Sequence, residues 1–303
     1  MVKRAQIAGT RHSCIVGLMS LAVIVFAYQG SAQSATIVHN IPRCGSIAVP
    51  GFYRVTNTLV ARSVDCIDIR SSNVTLDLAN FNMTNTGPAG SSVGINVLGS
   101  ATNVTIEGAN SFIEGFSIGV ETGPSTSGTI AEDFNVVDNT HVGILIQGSN
   151  QFFTNVFAQH QAYGIELHSC TRCIAANIYS TDNSIYGFWI FASTLSQVFL
   201  NIGEDNAIAD VYEGCSGAAP GSACAAQQFG SENAIYDTQL AGGEYGVAVD
   251  KGEAGNRIFQ TQPEYGETQD VPSIDQLYDG NAACGTNLWF ENSFTRANQS
   301  CIQ

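Results

Sequence analysis

The segment Gly164-Ile165-Glu166-Leu167 carries the motif that decides the fold: a glycine followed by an apolar, a variable and an apolar residue. The motif recurs on both sides of this segment and begins, in chain order, at Gly94, Gly119 (a degenerate copy), Gly143, Gly187 and Gly246. From Gly94 to Gly187 the successive glycines are 25, 24, 21 and 23 residues apart. Internal repeats of this length are typical of solenoids, in which each repeat forms one coil.

The repeat extends beyond these copies and leaves room for an insertion. Cys66-Ile67-Asp68-Ile69 fills the same position 28 residues before Gly94. Gly246 follows Gly187 after 59 residues, which is enough for one further coil and an insertion at about residues 213–230. That insertion contains Cys215 and Cys224, and a disulfide between them would tie a loop that either walls a groove or is a plain surface excursion.

A second motif, which follows the first in several repeats, predicts another strand in each coil. Its copies are short alternating runs that open with a turn residue: Ser72-Asn73-Val74-Thr75-Leu76, Thr102-Asn103-Val104-Thr105-Ile106, Ser149-Asn150-Gln151-Phe152-Phe153 and Gly255-Asn256-Arg257-Ile258-Phe259. Alternation over a few residues is a strand signature. Asparagine tolerates left-handed backbone, so we expect asparagines of successive coils to form a hydrogen-bonded ladder.

Together these patterns predict an all-β chain folded as a single-stranded, right-handed parallel β-helix whose end regions are pinned by disulfides. One coil cannot bury its apolar side chains alone, but successive coils cover one another at a spacing of about 4.8 Å. We expect the residues before the glycines to form one inward column: Val93, Ile118, Val142, Tyr163, Tyr186 and Tyr245. The predicted regions are 33–65 (N-terminal cap and first coil), 66–270 (β-helix) and 271–303 (C-terminal cap).

The N-terminus predicts export. Lys3, Arg4 and Arg11 precede an apolar stretch at residues 15–27, and small residues follow at positions 30–32. A stretch of 13 residues is too short to cross a bilayer, so residues 1–32 are interpreted as a signal peptide rather than a membrane anchor. We therefore expect an extracellular or periplasmic protein without membrane insertion.

Cysteine usage agrees with export. Of nine cysteines, Cys14 lies in the predicted signal peptide, which leaves an even number for disulfides. The preferred pairing joins sequence neighbours: Cys44/Cys66, Cys170/Cys173, Cys215/Cys224 and Cys284/Cys301. A zinc site at Cys170 and Cys173 is the alternative, but no second Cys pair or His pair completes it, so no metal site is predicted.

The repeat over residues 66–259 resembles the right-handed parallel β-helices of the pectate-lyase-like superfamily, and the ending from Cys284 to Cys301 resembles that of its bacterial exported branch. This resemblance implies the fold and an association with carbohydrate. The active-site motifs of the polygalacturonases (Asn-Thr-Asp, Asp-Asp, Gly-His-Gly, Arg-Ile-Lys) and of the alginate epimerases (Asp-Pro-His-Asp) are absent from the sequence. Basic residues for a pectate-lyase mechanism are scarce, with Lys251 the only lysine after the signal peptide.

The charge balance limits the partners. The formal net charge is −15, and it becomes −18 without the signal peptide. An acidic surface repels nucleic acid, so nucleic acid is excluded as a partner. No cofactor is predicted, although calcium remains possible because oxygen ligands are plentiful; the candidate ligands are Asp133, Asp138, Asp182 and Asp205.

Strand alternation predicts an outward stripe that contains candidate functional residues. If Ile165 and Leu167 point inward, Glu166 and His168 point outward. Counterparts in other coils extend two columns, which read Glu121, Leu145, Glu166, Trp189 and Gln147, His168, Phe191. Aromatic faces are natural platforms for sugar rings, so Trp189 and Phe191, with Gln147, are the predicted sugar-binding residues.

The same stripe supplies candidate catalytic groups. Glu121 and Glu166 are two coils apart, about 9.6 Å, near the spacing of the carboxyl pair in inverting glycosidases. His168 would assist Glu166. The protein is therefore predicted to bind or process a polysaccharide, and as an enzyme it would be a hydrolase or a lyase. The alternative is a non-catalytic structural or adhesive surface protein.

Three other groups of polar residues have a structural interpretation. Asp138 and His141 fit either an acid–base couple or a solvated pair. His160 is interpreted as a surface turn residue. Asp250, Lys251 and Glu253 are interpreted as a charged turn.

Overall fold

A computed structural model describes residues 37–215, 230–264, 276–294 and 296–303 as a stack of parallel strands. The predicted signal peptide, most of the predicted insertion with Cys224, and the start of the predicted C-terminal cap lie outside the described residues. The one helical element in these ranges is a short 3-10 turn at Ala282–Cys284. None of the helical structure found in the described residues is long and apolar enough to cross a membrane.

Sheet B contains the strands of the glycine motif, and each strand pairs in parallel with the strand of the next coil. Its strands are, in order, Gly45–Ile47, Ile67–Ile69, Val93–Val97, Ile118–Thr122, Val142–Ile146, Tyr163–His168, Tyr186–Phe191, Ala209–Glu213, Tyr245–Val249 and Leu277–Asp279. The parallel β-helix predicted from the repeat is confirmed. Ala209–Glu213 is the further coil expected between Gly187 and Gly246, and it has Asp210 where the other coils have glycine.

Sheet A has a first limb that closes the other side of each coil. The strands of this limb are Val38–Ile41, Gly51–Val55, Val74–Asp77, Val104–Glu114, Ile130–Val137, Phe152–Gln159, Ile174–Thr181, Gln197–Phe199, Ala234–Tyr236, Arg257–Phe259 and Leu288–Phe290.

The second limb of sheet A continues the long strands past a bend. It also includes Leu59–Ala61, Met83–Asn85, Ile202–Glu204, Gln239–Ala241 and Gln262–Glu264. In the three long central strands the bend lies at Asp133, Asn155 and Asn177, whose φ angles are 63°, 53° and 51°. Asparagine and aspartate tolerate this left-handed conformation better than most residues, which explains why they recur at the bend.

The core runs along the axis of the stack between the sheets. The two apolar positions of the glycine motif contribute to it in most coils, as Ile165 and Leu167 do. The glycine is needed because the backbones of successive coils approach closely there. A Cβ atom on Gly143 would lie 2.5 Å from the carbonyl oxygen of Gly164.

The residues that precede the glycines form a column, but the prediction that this column points inward is wrong. Val142, Tyr163 and Tyr186 pack in a second cluster, separate from the main core, together with Trp189 and Tyr212 of the outward stripe. Strand alternation breaks at the glycine, so the residue before it and the residue two places after it lie on the same outer face. The tyrosines therefore add to the outer face of sheet B.

Asparagine ladders are present in two forms. On the surface, Nδ2 of Asn103 donates to Oδ1 of Asn73 over 3.2 Å, as the second motif predicted. Asn256 lies one position further along and is buried, where its Oδ1 accepts from the backbone N–H of Asn233 and its own N–H donates to Oδ1 of Asn287. Gly255, not Asn256, has the left-handed backbone of this turn.

Three of the four preferred cysteine pairs are disulfides in the described residues: Cys44–Cys66, Cys170–Cys173 and Cys284–Cys301. The first and third lie near the two ends of the described stack, as predicted. Both sulfurs of the second are in the core. Disulfides persist in oxidising compartments, which agrees with the predicted export.

Asp250, Lys251 and Glu253 lie at a turn, as interpreted from the sequence, but the two acids are buried. Asp250 is 0% and Glu253 is 1% exposed. Glu253 Oε2 accepts the N–H of Gly230 over 2.6 Å, and Tyr212 donates to Asp250. Glu213 is also fully buried and accepts a hydrogen bond of 2.8 Å from Nδ2 of Asn233. The interior of the last described coils is thus lined with acids as well as apolar side chains.

Candidate functional site

The outward stripe on sheet B has the predicted register. Parallel pairing aligns Glu121 with Leu145, Leu145 with Glu166 and Glu166 with Trp189. The second column pairs His168 with Phe191. Gln147 directly follows Ile146, which pairs with Leu167, and its side chain is half-buried. We call Glu121, Leu145, Glu166, His168, Trp189 and Phe191 the sheet B surface.

Glu166 and His168 form a hydrogen-bonded pair at the centre of this surface. Oε1 of Glu166 lies 2.8 Å from Nδ1 of His168. The side chain of Glu166 is 7% exposed, whereas that of His168 is 36% exposed. The carboxylate therefore lies beneath the imidazole and fixes its orientation, and Nε2 of His168 has no hydrogen-bond partner within the described ranges.

Trp189 lies beside this pair in a cluster of tilted rings. Its centroid is 4.9 Å from that of Tyr163 and 5.5 Å from that of Phe191, with interplanar angles of 38° and 49°. The indole Nε1 donates to the carbonyl oxygen of Gly214 over 2.9 Å. The hydrogen bond fixes the indole, and the tilt means that its neighbours do not cover it face to face. A partly exposed tryptophan held in this way can accept a sugar ring.

Glu121 provides a second carboxyl group, two coils away from Glu166. Burial raises its pKa, and the negative charges of Asp65 and Glu166 raise it further. Asp65 is held in place by the N–H of Val93, at 2.8 Å. A carboxyl group whose pKa is raised keeps its proton to a higher pH, as a general acid must.

Sequence reasoning missed two contributors to this site. Tyr163, which was expected inside the coil, packs against Trp189, and its pKa is raised by burial and by the charge of Glu166. Asp65 precedes the motif and was not considered. Its position directly before Cys66 could have indicated it. The strand of that coil contains Asp68, which aligns with Asn96, and Asn96 aligns with Glu121.

The other candidate groups are not assembled as predicted. Asp138 pairs with His160 at 3.1 Å, not with His141, and both side chains are exposed. His141 instead packs edge-on against Tyr163 at 5.4 Å. Within the described ranges no group of three or more His, Cys, Asp or Glu side chains could hold a metal ion, so Asp133, Asp138, Asp182 and Asp205 do not form such a group.

Positive charge is scarce along the sheet B surface. Arg70 lies at its N-terminal end and is paired with Asp68 at 2.7 Å. Acidic groups dominate the first coils of the stripe, through Asp65, Asp68 and Glu121, and aromatic groups dominate the later ones. The surface is therefore suited to an uncharged ligand that offers hydroxyl groups and flat apolar faces.

The sequence matches no protein-family model, and no curated protein matches it. The structure is similar to the enzymatically active domain of bacteriophage CBA120 tailspike protein 2, with a TM-score of 0.57 and 12% identity, over 85% of this chain. The chain spans only 42% of that tailspike domain.

The match to a second solved structure extends over most of that structure's length. The A-module of mannuronan C-5 epimerase AlgE4 from Azotobacter vinelandii has a TM-score of 0.52 and 14% identity, over 88% of this chain and 89% of that module. At these identities the likeness concerns the fold alone. It agrees with the architecture read from the repeat: the chain is a parallel β-helix protein.

Proposed function

We propose that the protein binds a polysaccharide along the sheet B surface and hydrolyses it there. The observation that carries the proposal is the buried Glu166 carboxylate, which holds the exposed imidazole of His168 next to the fixed indole of Trp189. Enzymes that act on polysaccharides occur on this fold, and the mannuronan C-5 epimerase module is one of the similar structures, which supports a glycan as the ligand. Fold alone does not specify the reaction, so the site carries that part of the proposal.

Two groups on this surface can act as the acid and the base of hydrolysis. Glu121, with its raised pKa, donates a proton to the leaving glycosidic oxygen as the bond from the anomeric carbon breaks. His168 takes a proton through Nε2 from the water that forms the new bond to the anomeric carbon. Glu166 is a positioning residue, since it contacts the imidazole from below and not the ligand.

The separation of these groups favours inversion at the anomeric carbon. Glu121 and the Glu166–His168 pair are two coils apart, or about 9.6 Å along the stack. Retaining enzymes hold their two carboxyl groups at roughly 5 Å, whereas inverting enzymes leave room for a water. A water can therefore lie between the sugar and His168.

The charge of the surface favours a neutral glycan. A uronic-acid polymer would place carboxylates against Asp65 and Asp68 without a free basic partner in the described stripe. Carboxylates that are brought close together repel one another. A neutral polymer meets no such repulsion and can use Trp189 and Phe191 as platforms.

The proposal is tested by assaying the exported form against neutral polysaccharides and alginate, with reducing ends measured over time. We expect new reducing ends from at least one neutral polymer, none from alginate, and a reduced activity in Glu166→Gln. Binding without cleavage would overturn hydrolysis and favour the adhesive alternative. Cleavage of alginate alone would overturn the neutral substrate.

A further inference from the structure

A depression lies at the bend of sheet A, away from the residues of the sheet B surface. Its volume is about 280 Å³. The three strands that cross it are Ile130–Val137, Phe152–Gln159 and Ile174–Thr181, which pair in parallel. The left-handed backbone at Asn155 and Asn177 turns the chain here and brings amide side chains to its rim.

Several amide groups line the depression. Asn155 Nδ2 donates to Oδ1 of Asp133 over 3.0 Å, and Asn177 Nδ2 donates to Oδ1 of Asn155. Asn135 Nδ2 donates to the backbone oxygen of Asn110 over 3.2 Å. These bonds fix the amides, while the Oδ1 atoms of Asn135 and Asn177 have no hydrogen-bond partner among the residues that the structure describes. Fixed acceptors of this kind suit hydroxyl donors.

Aromatic and aliphatic groups also line the depression, where Phe157 and Tyr179 continue the column of Asn135. Phe157 and Tyr179 stack with centroids 5.2 Å apart and an interplanar angle of 7°. The hydroxyl of Tyr179 donates to Glu204, which fixes the ring. Leu200, which is 55% exposed, completes the apolar lining. Apolar side chains together with a few oriented polar groups are the usual composition of a small-molecule site.

The charge around the depression selects among ligands. Asp133 and Glu204 are bonded to lining residues, and no Lys or Arg is among the residues that line it. An anionic ligand would be repelled, and nothing here would neutralise a phosphate or a uronate. The ligand that fits is uncharged, with several hydroxyl groups and an apolar face, which describes a neutral pyranose.

We propose that this depression is a second glycan-binding site, which takes a neutral sugar residue against the amides of Asn135 and Asn177 and the side chain of Phe157. It is independent of the sheet B surface, because no residue is shared. Its role would be to hold a polysaccharide chain at a second point, which raises the overall affinity without new chemistry.

The test uses the full exported chain carrying Trp189→Ala, which disables the sheet B platform, and four neutral probes: cellohexaose, maltohexaose, mannohexaose and xylohexaose. Calorimetry should still detect binding of at least one probe. Adding Asn135→Ala should weaken that binding about tenfold, the effect of one lost hydrogen bond with its partner. The matched control is Asn40→Ala, an exposed strand asparagine at the N-terminal end of the stack, which should leave the affinity unchanged.

Two outcomes would overturn the second site. One is that the Trp189→Ala protein binds none of the four probes; the other is that Asn135→Ala and Asn40→Ala bind them equally well. Amide NMR separates a folding defect from a lost contact, since the probe should shift the side-chain signals of Asn135 and Asn177. If the sheet B surface binds no sugar, wild-type protein should still show these shifts, so the two proposals fail separately.

Discussion

Glu166 and His168 lie two residues apart on one strand of sheet B, and a 2.8 Å hydrogen bond joins Oε1 of the glutamate to Nδ1 of the histidine. The exposed fraction falls from 36% for the imidazole to 7% for the carboxylate. From the sequence, both residues were predicted to point outward, and the glutamate was predicted to be the catalytic group, assisted by the histidine. The difference in burial assigns contact with the ligand to His168 and the orienting role to Glu166.

His168→Asn is expected to lower kcat about 10²–10⁴-fold, the usual contribution of a positioned acid or base, with little change in glycan affinity. Glu166→Gln should give a smaller loss, because the amide can still accept from Nδ1 but without a negative charge. The measurement is kcat against KM on the polysaccharide that the protein cleaves. Glu132→Gln, a half-exposed glutamate on sheet A, is the matched control, and equal losses in all three variants would contradict the assignment.

Glu121→Gln is expected to remove the alkaline limb of the pH–rate profile. Burial and the charges of Asp65 and Glu166 raise the pKa of Glu121, so the wild-type acid stays protonated above its ordinary range and activity falls as the pH passes its raised pKa. The variant should retain only weak activity, without that limb. An alkaline limb that survives in Glu121→Gln would show that another group titrates.

The anomeric outcome is a separate prediction from the spacing of the stripe. Because Glu121 and His168 lie on strands two coils apart, a water fits between the base and the sugar, and the product should form with inverted configuration. Proton NMR of the first product distinguishes the anomers before mutarotation. A retained configuration would contradict the proposed division of roles.

The buried acids of the last coils predict a stability that falls with rising pH. Burial raises the pKa of Glu213 to about 8 and that of Glu253 to about 9. Their stabilising protonated forms are complete below the unfolded pKa of 4.5 and are lost as the pH rises toward 8 and 9. Within this window each group lowers the free energy of unfolding by up to about 1.4 kcal/mol per pH unit.

Thermal unfolding at several pH values from roughly 5 to 9, the window set by linkage, tests this prediction. Glu213→Gln should flatten the decline and raise Tm at alkaline pH, since the amide keeps the hydrogen bond to Asn233 without a charge. Glu232→Gln, at an exposed turn, should follow the wild-type curve. A Tm that rises toward alkaline pH would contradict the burial of these acids.

The Cys284–Cys301 disulfide is expected to stabilise the C-terminal end. It closes a loop with a sequence separation of 17, whereas Cys170–Cys173 has a separation of 3. In the chain-entropy model, replacing both cysteines by alanine costs about 3 kcal/mol for the longer loop and about 1.6 kcal/mol for the shorter. Denaturant unfolding of the two double variants compares them, and an equal loss would indicate that loop length does not govern the effect.

The repeat could be read from the sequence because most of its coils need a glycine where their backbones approach closely. Gly143 and Gly164 approach too closely for a side chain, so the motif recurs and fixes the register of Glu166 with Trp189. The prediction that Tyr163 points inward was wrong because the alternation of the strand breaks at the glycine. The tyrosine therefore lies on the outer face of sheet B. Counting positions by two across the glycine could not reveal this.

The buried acids could not be predicted for a different reason. Asp250 and Glu253 flank a lysine and a glycine, a composition that normally belongs to a solvated turn. Their burial depends on partners distant in sequence, such as Tyr212 for Asp250 and Gly230 for Glu253. Likewise, the hydrogen bond between Glu166 and His168 depends on rotamers, which the alternation of a strand does not determine.

The most direct test of the account is a glycan array probed with the exported chain, Trp189→Ala and Phe290→Ala. Phe290 is 37% exposed and lies on sheet A, outside the sheet B surface, so its loss should change little. The account predicts binding to a neutral glycan that falls about 30-fold in Trp189→Ala, the loss of roughly 2 kcal/mol expected of an aromatic hot spot. Equal binding by both variants would contradict a sugar platform at Trp189.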